Sequence, residues 1–120
     1  MIFVGNDIVE IDRIKKIFIK FDNHFLKKIF SDAEIKNVIN KKNKIIHLSG
    51  KFSSKEAVKK ALCSAMIGSN IFPKDIEILN KKNGEPYVRI MKLNTNEYKY
   101  ISLSISHTTK YATAIALIDI

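Results

Sequence analysis

A long helical pattern in the middle of the chain is the feature that most constrains the fold. Apolar residues recur at helical spacing from about Lys44 to Met66, which predicts a helix of about six turns. Gly68 and the segment around Pro73 end the pattern. The rest of the domain is expected to pack against this helix. The apolar stripe consists of Ile45, Leu48, Phe52, Ala57, Ala61, Leu62 and Ala65.

Strand-like segments lie on both sides of the predicted long helix. Residues 2–9 are extended and mostly apolar, and Asn83-Gly84 marks the turn of a later hairpin. We therefore predict an α+β fold, in which an antiparallel sheet packs against one long helix and some short ones, as a single domain over residues 1–120. The other predicted strands are IEIL at 76–79, YVRIM at 87–91, ISLSIS at 101–106 and YATAIALI at 111–118.

Three short helices complete the predicted elements. From Ile11 to Phe21, apolar residues at helical spacing indicate an amphipathic helix with a basic opposing face. Ser31 and Glu34 have capping-box spacing, which predicts a helix that ends at about Asn40. Residues 93–98, between two predicted strands, are assigned as a third short helix. The basic face of the first helix consists of Arg13, Lys16 and Lys20.

The net charge of +9 favours an anionic partner, such as nucleic acid, an acidic protein or a phosphorylated small molecule. Nearly all of the positive charge is Lys, alongside abundant Ile and Asn, a composition that an AT-rich genome produces without selection for binding. A solvated lysine surface is thus the default interpretation of KKNK at 41–44 and of KK at 81–82. A small basic nucleic-acid-binding module remains the alternative function, although the chain has no RNP-like aromatic pattern and no zinc-finger spacing.

The sequence also predicts a compartment and a redox state. No apolar run approaches the roughly 20 residues that cross a bilayer, and the N-terminal segment does not resemble a signal peptide. We expect a cytoplasmic protein without a membrane span, or an organellar one if a transit peptide has been removed. The single Cys63 cannot form an internal disulfide and is expected to be a buried structural thiol.

Three segments carry residues that packing alone does not explain. Asp7 interrupts a strand suited to a sheet interior, and it is either an edge carboxylate facing water or a group that needs a partner. Glu56 and Lys60 share a helix face one turn after Phe52, a spacing that also suits an ordinary surface ion pair. His107 lies in a Ser-His-Thr step at a strand end, where a structural role is the alternative.

Together these segments resemble the holo-acyl-carrier-protein synthase family of phosphopantetheinyl transferases, in the same order and at the same separations. The resemblance extends from about Ile2 to Ala116. Each motif is weak alone, but the ordered set is specific. The motifs are DIVEIDRI at 7–14, FSSKEAVKKAL at 52–62, NGEP at 83–86 and SISHT at 104–108.

The resemblance implies an activity: transfer of the 4′-phosphopantetheine group of coenzyme A to a serine of an apo-acyl carrier protein, for fatty-acid synthesis, with adenosine 3′,5′-bisphosphate leaving. Asp7 and Glu56 resemble the two metal-binding carboxylates of the family, which implies Mg²⁺ as cofactor. Lys60 matches a family lysine near the phosphates. Asp7, Glu56 and Lys60 are therefore the predicted catalytic residues.

The resemblance also implies residues that bind coenzyme A. Lys51 and Lys55 lie one or two turns before Lys60 on the same predicted helix and are expected to hold the anionic ligand with it. The motif around His107 is expected to contact a phosphate, and the hairpin turn to contact the nucleotide end. The predicted set is Lys51, Lys55, Lys60, Gly84, Pro86, His107 and Thr108.

Partners follow from the same resemblance. Arg13 matches a family position, and with Lys16 and Lys20, which are assigned from helical spacing, it forms a predicted docking face for the acidic acyl carrier protein. Family members are commonly trimers with the site between subunits, so we expect a homotrimer whose carboxylates and coenzyme A-binding groups come from different chains. An inactive carrier-binding protein and a peptidyl or polyketide carrier domain as acceptor remain alternatives.

Two positions depart from the family pattern. Phe3 stands two residues before Gly5, where the family usually has glycine, and Cys63-Ser64-Ala65 stands where a Gly-x-Gly often follows the Lys-Ala-Phe or Lys-Ala-Leu of the long helix. Side chains at these positions are expected to narrow the path along which backbone approaches the ligand.

Overall fold

The computed structural model describes residues 1–21 and 23–120, apart from the side chain of Phe21, which the predicted basic helix included. Most predicted elements are confirmed to within one or two residues. In chain order the elements are β1 (Ile2–Glu10), α1 (Ile11–Phe21), α2 (Asn23–Ile29), α3 (Asp32–Val38), α4 (Lys44–Ser64), a 3₁₀ turn (Pro73–Asp75), β2 (Ile76–Asn80), β3 (Pro86–Ile90), β4 (Tyr100–His107) and β5 (Tyr111–Asp119).

The strands form two antiparallel sheets. One has three strands in the order β1-β5-β4, and the other is the hairpin of β2 and β3. The register places Asp7 opposite Ala114 in the first sheet and Ile78 opposite Val88 in the second. The predicted α+β fold is confirmed, and the structure divides the predicted sheet into two.

Helix α4 is the central element, as the sequence predicted. One buried cluster joins it to both sheets, and a second joins it to the three shorter helices. In the described part of the chain, no helix has the length and hydropathy needed to cross a membrane. The buried members of the first cluster are Ala57, Val58, Ala61, Leu62, Ile71, Ile76, Ile78, Ile90, Ala114, Ala116 and Ile118, and those of the second are Ile14, Phe25, Leu26, Phe30, Val38 and Leu48.

Strand β1 crosses α4 in close contact at Gly5. A Cβ atom at Gly5 would lie well inside the contact distance of the Ala57 carbonyl oxygen and 2.6 Å from the Ala61 backbone nitrogen. Ala57 and Ala61 are themselves fully buried, so no larger side chain separates the strand from the helix. The crossing holds Asp7, two residues along β1, near Glu56, which precedes Ala57 on α4.

The short helices have different outcomes. The capping box of α3 is confirmed, because Glu34 N donates to Ser31 Oγ (3.2 Å) and Ser31 N donates to Glu34 Oε1 (2.9 Å). The predicted helix at residues 93–98 is wrong. There, Glu97 N donates to Asn94 O and Asn94 N to Glu97 Oε2, so one turn closes on itself before β4 begins. Helix α2 was not predicted, since it follows α1 almost directly and has only seven residues.

Candidate active site

Asp7, Glu56 and Lys60 come together at one end of the β1–α4 crossing. Asp7 and Glu56 line a cleft of about 420 Å³. Lys60 Nζ lies 3.1 Å from Asp7 Oδ1 and donates to Asn6 O at 3.0 Å. Asp7 is therefore not an edge carboxylate facing water, because its side chain is mostly buried and ion-paired.

The two carboxylates have electrostatics that favour a cation. Burial raises the pKa of Glu56, and the negative charge of Asp7 adds to this, while Lys60 and Lys59 act in the opposite direction. Asp7 Oδ2 is buried and has no hydrogen-bond partner among the described residues. A buried carboxylate oxygen without a partner is costly unless a ligand satisfies it.

This donor set fits Mg²⁺. The ion takes oxygen ligands, and proteins commonly hold it with one or two carboxylates while substrate phosphates and waters complete the shell. Within residues 1–21 and 23–120, no three His, Cys, Asp or Glu side chains converge on a common point. Glu10 also lines the cleft, but Asp7 and Glu56 are the two carboxylates that meet across the β1–α4 crossing and so are the candidate ligands.

The cleft has an apolar wall and a basic rim. Arg13 of α1 lines it, and the role of Arg13 in docking the carrier protein stays a prediction. Lys16, by contrast, forms an exposed ion pair with Asp12 at 3.0 Å, whose hydrogen bond and negative charge raise the pKa of Lys16. Lys20 lies in the last turn of α1. Further lining residues are Ile8, Val9, Glu10, Ile14, Ile17, Phe52 and Tyr111.

The predicted hairpin turn is confirmed but lies apart from the cleft. Gly84 has a positive φ of 88°, a conformation that side chains disfavour. Its amide donates to Lys81 O (2.9 Å), and Asn80 Nδ2 donates to the Gly84 carbonyl (3.0 Å). Pro86 begins β3 directly after the turn.

His107 lies at the end of β4 and lines a second cavity of about 100 Å³ together with Lys51 and His47. Burial lowers the pKa of His47, and the positive charges of Lys41 and Lys51 and the neighbouring His107 lower it further. His47 was not among the predicted site residues, although it precedes Lys51 by one helical turn.

Thr108 follows His107 and has a structural role. Its hydroxyl oxygen accepts hydrogen bonds from the amides of Lys110 (3.1 Å) and Tyr111 (3.0 Å) and so shapes the turn between β4 and β5.

The structure does not support the prediction that Lys51 and Lys55 face the phosphates with Lys60. The side chain of Lys55 is 1% exposed and forms a 2.6 Å ion pair with Glu34. Lys51 is 5% exposed and donates to Ile78 O at 2.5 Å, and burial lowers its pKa to about 8. Lys51 and Lys55 each precede a residue of α4 that lines the cleft, Phe52 and Glu56. Successive residues of a helix differ by about 100° in direction, so the two lysines point into the interior of the protein instead.

The departures from the family pattern leave the cleft open. Phe3 packs against the core cluster beneath the three-stranded sheet and does not line the cleft. Cys63 is exposed, which corrects the expectation of a buried thiol. Cys63 is the next-to-last residue of α4, where Ala61 and Leu62 form the buried side of the helix.

Comparisons with known proteins agree on one family. The profile of the 4′-phosphopantetheinyl transferase superfamily matches residues 3–116. The holo-[acyl-carrier-protein] synthase of Protochlamydia amoebophila is 42% identical over 116 residues, which cover 95% of this chain and 94% of the relative. That of Caldanaerobacter subterraneus is 43% identical over 122 residues, which cover 97% and 93%.

Solved structures give the same result. The holo-[acyl-carrier-protein] synthase from Neisseria meningitidis superposes with a TM-score of 0.86 at 25% identity, covering 100% of both chains. The enzyme of that name from Helicobacter pylori, in complex with coenzyme A, gives a TM-score of 0.81 at 31% identity, covering 97% of this chain and 99% of that one.

Proposed function

Since the chain belongs to the 4′-phosphopantetheinyl transferase superfamily, we propose that it transfers the 4′-phosphopantetheine group of coenzyme A to a serine of an apo-acyl carrier protein. The observation that carries this proposal is the meeting of Asp7 and Glu56 across one cleft, with Asp7 Oδ2 buried and unsatisfied. Such a pair suits a reaction in which charge builds on a pyrophosphate.

The reaction exchanges one phosphorus–oxygen bond for another. The serine oxygen bonds to the phosphorus that carries pantetheine and releases its proton to solvent, while the bond from that phosphorus to the bridging oxygen breaks and adenosine 3′,5′-bisphosphate leaves. Asp7 and Glu56 would hold Mg²⁺, which would neutralise charge on the pyrophosphate. Lys60, whose side chain is about half exposed beside Asp7, is placed to attract the phosphates. Arg13 orients the carrier protein at the rim.

The acceptor and the compartment stay predictions. We propose the acyl carrier protein of fatty-acid synthesis as acceptor, because the relatives are named holo-[acyl-carrier-protein] synthases, and the cytoplasm stays the predicted compartment. The nucleic-acid-binding alternative gains no support from the comparisons, since the matching family and the relatives are transferases that act on an acyl carrier protein by name.

Intact-mass spectrometry tests the proposed function. Apo-acyl carrier protein is incubated with this protein, coenzyme A and Mg²⁺, and a parallel sample contains EDTA. We expect the carrier to gain one phosphopantetheine and EDTA to abolish the gain. If several carrier proteins gain no mass although circular dichroism shows that this protein is folded, the transferase proposal fails.

We propose that the protein assembles as a homotrimer through the outer face of the three-stranded sheet. Alternate residues of β1 and β5 place apolar side chains on this face, away from α4, and Ile8 is 65% exposed. A contiguous exposed apolar patch of this kind marks an interface. The residues are Ile2, Val4, Ile8, Ile115 and Leu117. Assembly would bring the hairpin and His107 of one chain to the carboxylates of another.

The double variant Val4→Lys/Ile115→Lys is expected to be monomeric, because two charges on the apolar face cannot be buried without partners. Sedimentation equilibrium should give three times the chain mass for the wild type and one chain mass for the variant. An exposed-face control, Lys36→Glu on α3, should remain trimeric. A wild-type monomer at micromolar concentration would contradict the trimer.

A charge reversal at the cleft rim tests the docking face. Arg13→Glu is expected to raise the KM for acyl carrier protein about tenfold and to change that for coenzyme A by less than about twofold, because it places a negative charge before an acidic partner. Steady-state kinetics with each substrate varied in turn gives both constants. Lys36→Glu carries the same charge change on another helix and serves as control. Equal effects of Arg13→Glu on both substrates would count against the docking face.

A further inference from the structure

The free edge of β2 is satisfied by side chains instead of by another strand. One edge of β2 pairs with β3, and the opposite edge presents the carbonyl of Ile76 and both backbone groups of Ile78. Lys55 donates to Ile76 O, Ile78 N donates to Glu34 Oε2 (2.9 Å), and Lys51 donates to Ile78 O (2.5 Å). We call Glu34, Lys51 and Lys55 the edge clamp.

The edge clamp is buried and internally connected. Glu34 is fully buried, and it accepts from Lys55 Nζ at 2.6 Å and from Ser31 N at 2.9 Å while it holds Ile78. Buried polar groups need their partners, so β2 cannot shift along α4 without leaving several of them unsatisfied. An isolated two-stranded hairpin is marginally stable by itself. The clamp therefore fixes the β2–β3 hairpin to α3 and α4.

We propose that Lys51 is a positioning residue for coenzyme A. By holding the hairpin through Ile78, Lys51 places the turn at Gly84 where it receives the nucleotide end of the ligand. This inference rests on the proposed function, which assigns that turn to the nucleotide. The connection is short: Asn80 follows Ile78 by two residues and donates to the Gly84 carbonyl at 3.0 Å. Lys51 acts through the backbone, because its ammonium is already bound to Ile78 O.

Lys51 is the clamp residue that can be changed without unfolding the protein. Truncating Lys55 would leave the buried carboxylate of Glu34 without its ion-pair partner, which is strongly destabilising. Lys51 forms no ion pair with a described carboxylate at hydrogen-bond distance, and the 100 Å³ cavity beside it reaches both Ile78 and Asn80. After Lys51→Met, a water can enter this polar cavity and bind the carbonyl of Ile78.

Hydrogen exchange of the ligand-free proteins tests the clamp itself. Lys51→Met is expected to raise amide exchange across residues 79–86 about tenfold and to leave β1 and β5 unchanged. Lys59→Met is the matched control, since Lys59 lies two turns further along α4 and also donates to backbone carbonyls, those of Gly68 and Ile71, but does not touch the hairpin. Unchanged exchange at 79–86, or an equal increase in Lys59→Met, would overturn the proposal.

Ligand binding tests the functional consequence. Calorimetry with adenosine 3′,5′-bisphosphate and with 4′-phosphopantetheine separates the two halves of coenzyme A. In Lys51→Met we expect the Kd for the bisphosphate and the KM for coenzyme A to rise about tenfold, with kcat at saturating coenzyme A and the Kd for phosphopantetheine unchanged. Lys51→Arg, which keeps a cationic donor, should recover most of the affinity.

The remaining outcomes are also decisive. Weaker bisphosphate binding with unchanged hairpin exchange would show that Lys51 contacts the ligand directly, as the sequence alone suggested, and would overturn the positioning role. Faster amide exchange in the hairpin with unchanged affinity for the bisphosphate would show that Lys51 only stabilises the fold, and would also overturn the positioning role. Failure of the proposed function is distinct, because it appears as wild-type protein that neither transfers phosphopantetheine nor binds the bisphosphate, whatever the exchange data show.

Discussion

Glu56→Gln is expected to lower kcat about a thousandfold while the protein stays folded. The substitution keeps the size and most of the hydrogen-bonding capacity of the side chain but removes the negative charge that Glu56 places beside Asp7 in the cleft. A divalent ion that stabilises transition-state charge contributes several kcal/mol, and each 1.4 kcal/mol corresponds to a tenfold change in rate. Stability should not fall, because burial and the charge of Asp7 already raise the pKa of Glu56 and disfavour its charge.

The measurement is the rate of holo-carrier formation at saturating substrates, with Mg²⁺ varied. We expect a higher Mg²⁺ concentration for half-maximal rate in Glu56→Gln as well as a lower maximum. Asp32→Asn removes an exposed carboxylate from the first turn of α3 and should have wild-type rates. Wild-type turnover in Glu56→Gln would contradict the assignment of Glu56 to the metal site. It would also contradict the interpretation of the Asp7–Glu56 pair on which the proposed function rests.

The elements could be predicted from the sequence because their signals are local. The long stripe of α4, the Ser31–Glu34 capping box and the Asn83-Gly84 turn each depend on residues within a few positions of one another. Strand pairing is not local, so the separation of β2 and β3 into their own sheet was out of reach. The wrong prediction of a helix at residues 93–98 has a related cause. A single closed turn and the first turn of a helix use the same types of polar residue, so the local sequence does not distinguish them.

The candidate site was predicted in part. The motifs identify Asp7, Glu56 and Lys60, which the structure brings together. The environment of Lys51 and Lys55 was missed, because their partners Glu34 and Ile78 lie more than 20 residues away and give no local signal. The helical periodicity of the sequence does contain a signal. These lysines precede the cleft-facing residues by one position, which places them on a different side of α4.

Asp7 and Glu56 meet because β1 lies against α4 at Gly5, a contact that the sequence pattern does not predict. The backbone of β1 lies so close to α4 that a Cβ atom at residue 5 would collide with Ala57 O and with Ala61 N. Both atoms belong to a helix backbone and cannot rotate away as a side chain does. Any side chain at residue 5 must therefore push the strand from the helix, and Asp7 moves with the strand.

Gly5→Ala is expected to lower the free energy of unfolding by about 3 kcal/mol or more, the upper end of what overpacking costs, because backbone must move. Urea denaturation followed by circular dichroism gives the value. Gly50→Ala is the matched control: its Cβ would meet only the side-chain Cγ2 of Ile105, at 3.2 Å, and alanine favours a helix interior, so its stability should stay within about 1 kcal/mol of the wild type.

The folded fraction of Gly5→Ala should also transfer phosphopantetheine more slowly, since the two carboxylates no longer share the cleft. Wild-type stability and turnover in Gly5→Ala would show that the strand can leave the helix without disturbing the site, and would contradict the role of this crossing.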